Sequence, residues 1–375
     1  MRIALVKHKY VPFGGGESYL QHLTAACVER GHDVHLVTTS WPGKDNSLLT
    51  VHALPPSPYS FGHKMRIFSH RARTLVRRED FDVTLSLDRT EYQDIWRAGE
   101  GVHRTWLERR KLFEPGTRVW FTSRAPRQRV LLRLEQRCVE QTPHIIANSK
   151  MVCEDLVSTY GIQPDRITVI PNGVDLDIFS PKHRQENRDA CRAELGIAAD
   201  RPVLLFVGSG FHRKGLREAL QALSALPDAL LLIIGRDKPP PWRKHAARLG
   251  VEKQTRFLGP RPALVPLYHA ADATIFPSWF DSFGFVGLES LACGTPLVTT
   301  SYAGVAETIR QGENGRVIKR PDDTGAMAAA LKELLERDGT QEHAEHIAAS
   351  VSGYSLERNV EQSLSLIESI GSTQR

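Results

Sequence analysis

A short apolar run, a glycine-bearing loop and an amphipathic stretch follow one another near residue 3 and again near residue 203. That repetition constrains the fold more than any other feature. Ile3-Ala4-Leu5-Val6 leads into KHKYVPFGGGES, residues 18–30 carry apolar positions at helical spacing, Gly31 ends the helix, and residues 34–38 read as a second strand. The pattern restarts with strand Val203–Val207, the loop GSGFHRKG, helix Leu216–Leu223 and strand Leu230–Ile234. Strand and helix alternate through both halves, which predicts parallel α/β domains. At 375 residues the chain exceeds one ordinary core. The polar segment 181–192 is the expected boundary, giving domains 1–180 and 181–355 and a last helix 356–375.

The stretch FDSFGFVGLESLACGTPLV, 280–298, carries the densest chemistry. Asp281 and Glu289 flank Phe283-Gly284-Phe285, and a small-residue helix is expected over 286–292, stopping at Cys293-Gly294. A helix N-terminus with a glycine beside it suits an anionic or hydroxyl-rich ligand. Eight helical residues rise about 12 Å, so the two carboxylates are expected to hold opposite ends of an elongated ligand. The plainer alternative is a capped core helix with Asp281 as the cap.

Loop 208–215 sets Arg213 and Lys214 between glycines, where charge-assisted donors and close backbone approach serve a diphosphate. A P-loop is excluded because Leu216 stands where its lysine belongs. The alternative is a solvated loop with two surface cations. Gly14, Gly15 and Gly16 lack dinucleotide-fingerprint spacing but follow a first strand, so they serve either as a turn or as a backbone contact for a ligand. Glu100 and His103 follow a strand expected over 95–98; they face a cleft, or are a surface acid and a satisfied imidazole. Asp175-Leu-Asp177 reads as turn and cap chemistry after Pro-Asn-Gly.

No metal site is expected: the 15 histidines show no HExxH, and the five cysteines are scattered without a CxxC pair, which fits a reducing cytoplasm. No apolar run approaches the roughly 20 residues of a membrane span, and nothing resembles a signal peptide. Segment 103–137 holds ten Lys/Arg against three Glu, a charge of +7, so the rest of the chain, within a total of +6, carries −1. With Trp106, Phe113, Trp120 and Phe121 interleaved, and Arg129, Arg133 and Arg137 on one helical face, the segment suits an anionic membrane surface; a solvated face is the plainer reading. No nucleic-acid recognition motif accompanies the charge.

Taken together, GGGES, IPNGVDLDIFSP (170–181), VGSGFHRKG and DSFGFVGLESLACGTPLV resemble the retaining glycosyltransferases of family 4, also called group 1, over nearly the whole chain. The family's Glu-x7-Glu begins here with Asp281. The resemblance implies a GT-B fold: two Rossmann-like parallel-sheet domains facing a cleft, with the last helix crossing back to the first domain. It implies a nucleotide-sugar donor and no metal or other cofactor. Glu289 would bind the nucleotide ribose and Asp281 the donor sugar. Phe283, Gly284 and Phe285 would offer backbone donors, Arg213 and Lys214 would hold the diphosphate, and Gly14 to Gly16 would close over it.

Within the family, KYVPFGGGE, ERGHDVHLVTTSW and FHRKGL are most similar to glucosyltransferases of the lipopolysaccharide core, which move glucose from UDP-glucose onto inner-core heptose. This similarity implies a lipid-linked saccharide acceptor and an acceptor-side acid matching Glu100, with His103 beside it. It also implies a cytoplasmic enzyme, peripheral on the inner membrane through 103–137. Alternatives are a family 4 enzyme of another cell-surface polysaccharide or glycolipid, a GT-B UDP-sugar epimerase, and a non-catalytic module on an anionic membrane.

Overall fold

A computed structural model describes residues 1–9, 15–41, 48–58, 61–337 and 339–373, with backbone alone at 15–17 and 61–62. Two compact units emerge, Met1–Asn172 with Leu356–Arg375, and Gly173–Ser355. The division falls after Asn172, earlier than the polar run suggested. Val174 already belongs to the second unit, where its N–H donates to the Tyr354 carbonyl at 2.9 Å. Nor is 181–192 a linker: it forms most of helix Arg184–Glu194, whose arginines turn inward. Arg184 donates to Thr295 Oγ1 at 2.9 Å and Arg192 to Asp272 Oδ2 at 3.0 Å. Polar composition thus concealed a buried set of carbonyl and carboxylate clamps.

The first unit is a seven-stranded sheet of β1 (Arg2–Val6), β2 (Asp33–Thr38), β3 (Leu49–Ala53), β4 (Val83–Ser86), β5 (Ile95–Arg97), β6 (His144–Ala147) and β7 (Ile167–Val169). All are parallel, in the order β3-β2-β1-β4-β5-β6-β7. Edge strand β3 escaped the sequence because it is partly exposed and carries little apolar pattern. Helix Gly15–Glu29 starts before the expected residue 18, taking Gly15 and Gly16 out of the loop and into the first turn. The last helix, Leu356–Thr373, turns Leu356, Val360, Leu364 and Ile367 onto the core formed by Tyr19, Leu20, Leu23 and Val83. That spacing is one face of a helix, and each such side chain contributes roughly 1.5–3 kcal/mol on burial. The C-terminal helix therefore completes the first unit, as the resemblance implied.

The second unit has β8 (Val203–Val207), β9 (Leu230–Ile234), β10 (Thr255–Gly259), β11 (Ala273–Phe276), β12 (Leu297–Thr300) and β13 (Gly315–Ile318). Also parallel, they run β10-β9-β8-β11-β12-β13. Both β8 and β9 are buried at every residue, as their unbroken apolar runs predicted. Strand order reverses between β1 and β4 in one sheet and between β8 and β11 in the other. At such switch points the loops beyond the carboxyl ends of the strands diverge and leave room for a ligand.

Candidate active site

In the second unit the loops after β8 and β11 leave the sheet side by side, bringing Arg213, Lys214 and Asp281 together although 67 residues separate Lys214 from Asp281. Lys214 Nζ donates to Asp281 Oδ2 in a short contact, and Arg213 Nη1 donates to the same oxygen at 3.2 Å and to the Phe280 carbonyl at 2.8 Å. Lys214 also lies over the Phe276 ring, 4.5 Å from its centroid. Burial works to raise the Asp281 pKa, but the charges of Lys214 and Arg213 outweigh it and hold the carboxyl below its usual range. Burial pushes the Lys214 ammonium down against the pull of Asp281.

Two glycines permit this approach. Gly215 has φ +79°, and a Cβ there would lie 2.0 Å from the Pro277 carbonyl oxygen; Gly284 has φ +99°, and its Cβ would meet the Phe276 ring at 2.8 Å. The Asp237 carboxylate braces the loop after β8 by accepting from Gly210 N at 2.6 Å and Phe211 N at 3.1 Å. The sequence drew no attention to Asp237, because its partners lie across a strand and a helix.

The helix after β11 runs Phe285–Ala292 with Gly284 as N-cap, so Asp281 is not the cap. Asp281 Oδ1 instead accepts from Phe283 N at 3.3 Å, leaving the N–H groups of Gly284 and Phe285 without a partner among the described residues. The rise of about 12 Å presumed eight helical residues; only the second half of the interval is helical. Lys214 consequently feels the charge of Glu289 as well as Asp281. Glu289 Oε2 accepts from Tyr268 Oη at 2.7 Å, and burial raises its pKa. The partner Tyr268 was unread in the sequence.

In the first unit, Glu100 and His103 follow β5 and share a network with residues the sequence did not flag. Arg89 donates through Nη1 to Glu100 Oε2 at 2.6 Å and through Nε to Glu135 Oε2 at 2.8 Å. Fully buried Glu135 also accepts from the backbone N–H groups of His103 and Arg104, at 2.6 and 3.1 Å, and from Tyr160 Oη at 2.6 Å. It thereby neutralises the N-terminus of helix His103–Arg110. Desolvation acts to raise the Glu100 pKa, but the Arg89 charge prevails and keeps it low, while 69% of the side chain remains exposed. Burial and the Arg89 charge lower the His103 pKa, and its Nε2 meets Gln128 Oε1 at 2.6 Å. The outcome is the plainer of the two readings offered: a surface acid, and an imidazole already engaged.

Segment 103–137 is not uniformly solvated. Arg110 is buried on Glu114, at 2.9 Å through Nε, and on Thr122 at 2.9 Å; Arg109 pairs with Asp155 at 3.6 Å. Arg118, Arg124, Arg127, Arg129, Arg133 and Arg137 are exposed, as are Trp120 and Phe121 at 52% and 70%. Asp175 behaves as expected of a turn, its Oδ1 accepting from Asp177 N and Ile178 N at 3.0 and 3.1 Å. Gly14 lies outside the described residues. Among the described residues no cluster of three or more His, Cys, Asp and Glu side chains could hold a metal ion, and no helix is long and apolar enough to cross a membrane.

Residues 13–178 match the model described as Glycosyltransferase Family 4, and residues 187–351 match Glycosyl transferases group 1. The lipopolysaccharide glucosyltransferase WaaG of Escherichia coli K12 is 26% identical over 365 residues, 95% of this chain and 96% of that protein. The D-inositol 3-phosphate glycosyltransferase of Mycolicibacterium smegmatis is 34% identical over 225 residues, which cover 57% of this chain and 51%, about half, of that relative. The crystal structure of WaaG shares the fold at TM-score 0.80 and 24% identity, covering 97% of this chain and 99% of that one.

Proposed function

Because the chain belongs to the group 1, family 4 glycosyltransferases, we propose that it transfers a hexose, with UDP-glucose as donor, onto a heptose or other sugar of a lipid-anchored acceptor such as the lipopolysaccharide core. The observation that carries this reading is the cluster of Arg213, Lys214 and Asp281 at the switch point of the second sheet. Its two cations exceed the one acid they hold, which suits a diphosphate. On donor binding, Lys214 and Arg213 turn from Asp281 to the phosphates. Asp281 is then free to accept from hydroxyls of the donor sugar, and Glu289 from the ribose. The N–H groups at Gly284 and Phe285 add dipolar stabilisation.

Transfer then breaks the bond from the anomeric carbon to the phosphate oxygen and forms one to the acceptor oxygen on the same face, the acceptor proton passing to the departing phosphate. The two cations supply the charge that a divalent ion would otherwise bring, so transfer is metal-independent. Glu100, held ionised and exposed by Arg89, orients the acceptor hydroxyl; His103 holds the adjoining helix start and the Gln128 contact. Trp120 and Phe121, flanked by Arg118 and Arg124, favour reversible adsorption to the anionic cytoplasmic face of the inner membrane.

A screen of nucleotide-sugars in EDTA, with and without a heptose-containing acceptor, tests the proposal. Acceptor-dependent UDP release, with a product heavier by one hexose in mass spectrometry, is expected. Turnover of the UDP-sugar without any acceptor would favour an epimerase, and loss of transfer in EDTA restored by Mg²⁺ or Mn²⁺ would contradict metal independence.

A further inference from the structure

Helices Phe61–Arg78 and Pro126–Gln141 of the first unit enclose a groove of about 560 Å³. Arg66, His70 and Arg73 line it from one helix, at the spacing of a single face, and Arg133 and Arg137 line it from the other. With Arg71, five arginines surround one acid, Glu91. That acid is already engaged, 2.7 Å from Arg137 Nη1 and 3.5 Å from Arg73 Nη1. Arg66 and Arg133 are exposed and have no hydrogen-bond or ion-pair partner among the described residues. Like charges gathered around a concavity repel, and their field concentrates anions there. Ile67, Val130 and Leu134 add apolar side chains to the lining.

We propose that this groove binds a phosphate dianion carried by a phosphorylated saccharide or by a lipid headgroup. Planar guanidinium forks grip phosphate oxygens in pairs, which a general lysine-rich surface does not. The apolar lining receives the sugar ring or glycerol stem that bears the phosphate. Neither the donor site nor the transfer chemistry enters the inference, because every lining residue belongs to the first unit.

The test uses the full chain and the double variant Arg66→Gln/Arg133→Gln, whose side chains are exposed, so folding should survive. Calorimetry with inorganic pyrophosphate, in a Lys214→Ala background that removes the donor-diphosphate site, should show binding weakened about tenfold or more by the double substitution, the loss expected from removing charge-assisted hydrogen bonds. Lys214→Ala alone should still bind pyrophosphate at the groove; complete loss of binding there would assign it to the second unit and overturn the proposal. Sedimentation with phosphatidylcholine vesicles containing phosphatidic acid identifies the source. Binding that the double variant loses and pyrophosphate displaces points to a headgroup, whereas a response confined to pyrophosphate points to a soluble phosphorylated saccharide. Wild-type affinity of the double variant for both probes would refute the site, as would an equal drop on phosphatidylserine vesicles, which marks plain charge attraction.

Discussion

Each parallel sheet carries a cluster of acids and cations at its carboxyl edge, but the two are charged in opposite senses. In the second unit Arg213 and Lys214 converge on the single carboxylate of Asp281, and the nearby acid Glu289 is pushed toward neutrality by burial. In the first unit a single guanidinium, Arg89, is shared between Glu100 and Glu135. An excess of buried positive charge is a receptor for phosphate; an excess of negative charge, with one acid left exposed, is a device for holding a hydroxyl. On the proposed function, the same motif of fold would serve two halves of a transfer reaction by inverting the ratio of acids to cations.

Glu135 is the architectural member of the first cluster, and its loss should have the largest effect. Glu135→Ala strips Arg89, Tyr160 and two helix-terminal N–H groups of one buried acceptor. Breaking a buried pair in this way costs about 3–5 kcal/mol, and urea denaturation should report it. A variant of wild-type stability would show that Arg89 and Glu100 stand without it, removing the contrast between the clusters.

Asp155 sharpens the comparison as an acid with one distant cation. Burial raises its pKa to about 6, against a usual 3.8, and Arg109 at 3.6 Å only partly opposes the shift. The folded state therefore holds this proton more tightly, and the site's contribution to stability declines as pH rises from about 4 to about 6. Asp155→Asn, neutral throughout, should be more stable than wild type at pH 7 by on the order of 1–3 kcal/mol and no more stable near pH 4. Thermal melts at the two pH values measure the difference; a gain of equal size at both would show that desolvation is not the cause.

The surface charges should matter least individually. Burial of Arg110 and the Arg109–Asp155 pair remove those two from any membrane contact, so the informative variant is Arg118→Gln/Arg124→Gln/Arg127→Gln around Trp120 and Phe121. Its attraction to anionic vesicles should fall by about 1 kcal/mol per cation and fade with salt. Equal sedimentation of variant and wild type with anionic vesicles would leave the segment a solvated face.

What could be read from the chain follows the physical origin of each feature. Unbroken apolar runs announced β8 and β9. Arg213 and Lys214 were legible because adjacent cations stand between glycines at a strand end. Glu135 was not: it lies in an arginine-rich run, where it counted only as a subtraction from the charge, and Arg89, its partner, is 46 residues away. Asp281 was found with two readings, a ligand acid and a helix cap, since a carboxylate before a helix looks the same in sequence whether it meets an N–H group or a distant lysine; the N-cap at Gly284 removes the second. Arg110 was mistaken for surface charge for the same reason, its burial arising from contacts with Glu114 and Thr122 after two short helices fold together.

The claim that the second unit's cations hold the donor diphosphate is tested most directly by the kcat/KM of Lys214→Ala for the nucleotide-sugar, with circular dichroism confirming that the variant is folded. Loss of a charge-assisted donor to the leaving group predicts a fall worth about 1.5–3 kcal/mol, roughly ten- to a hundredfold or somewhat more. An unchanged kcat/KM in the folded variant would contradict the account and make the Lys214–Asp281 pair a structural contact alone.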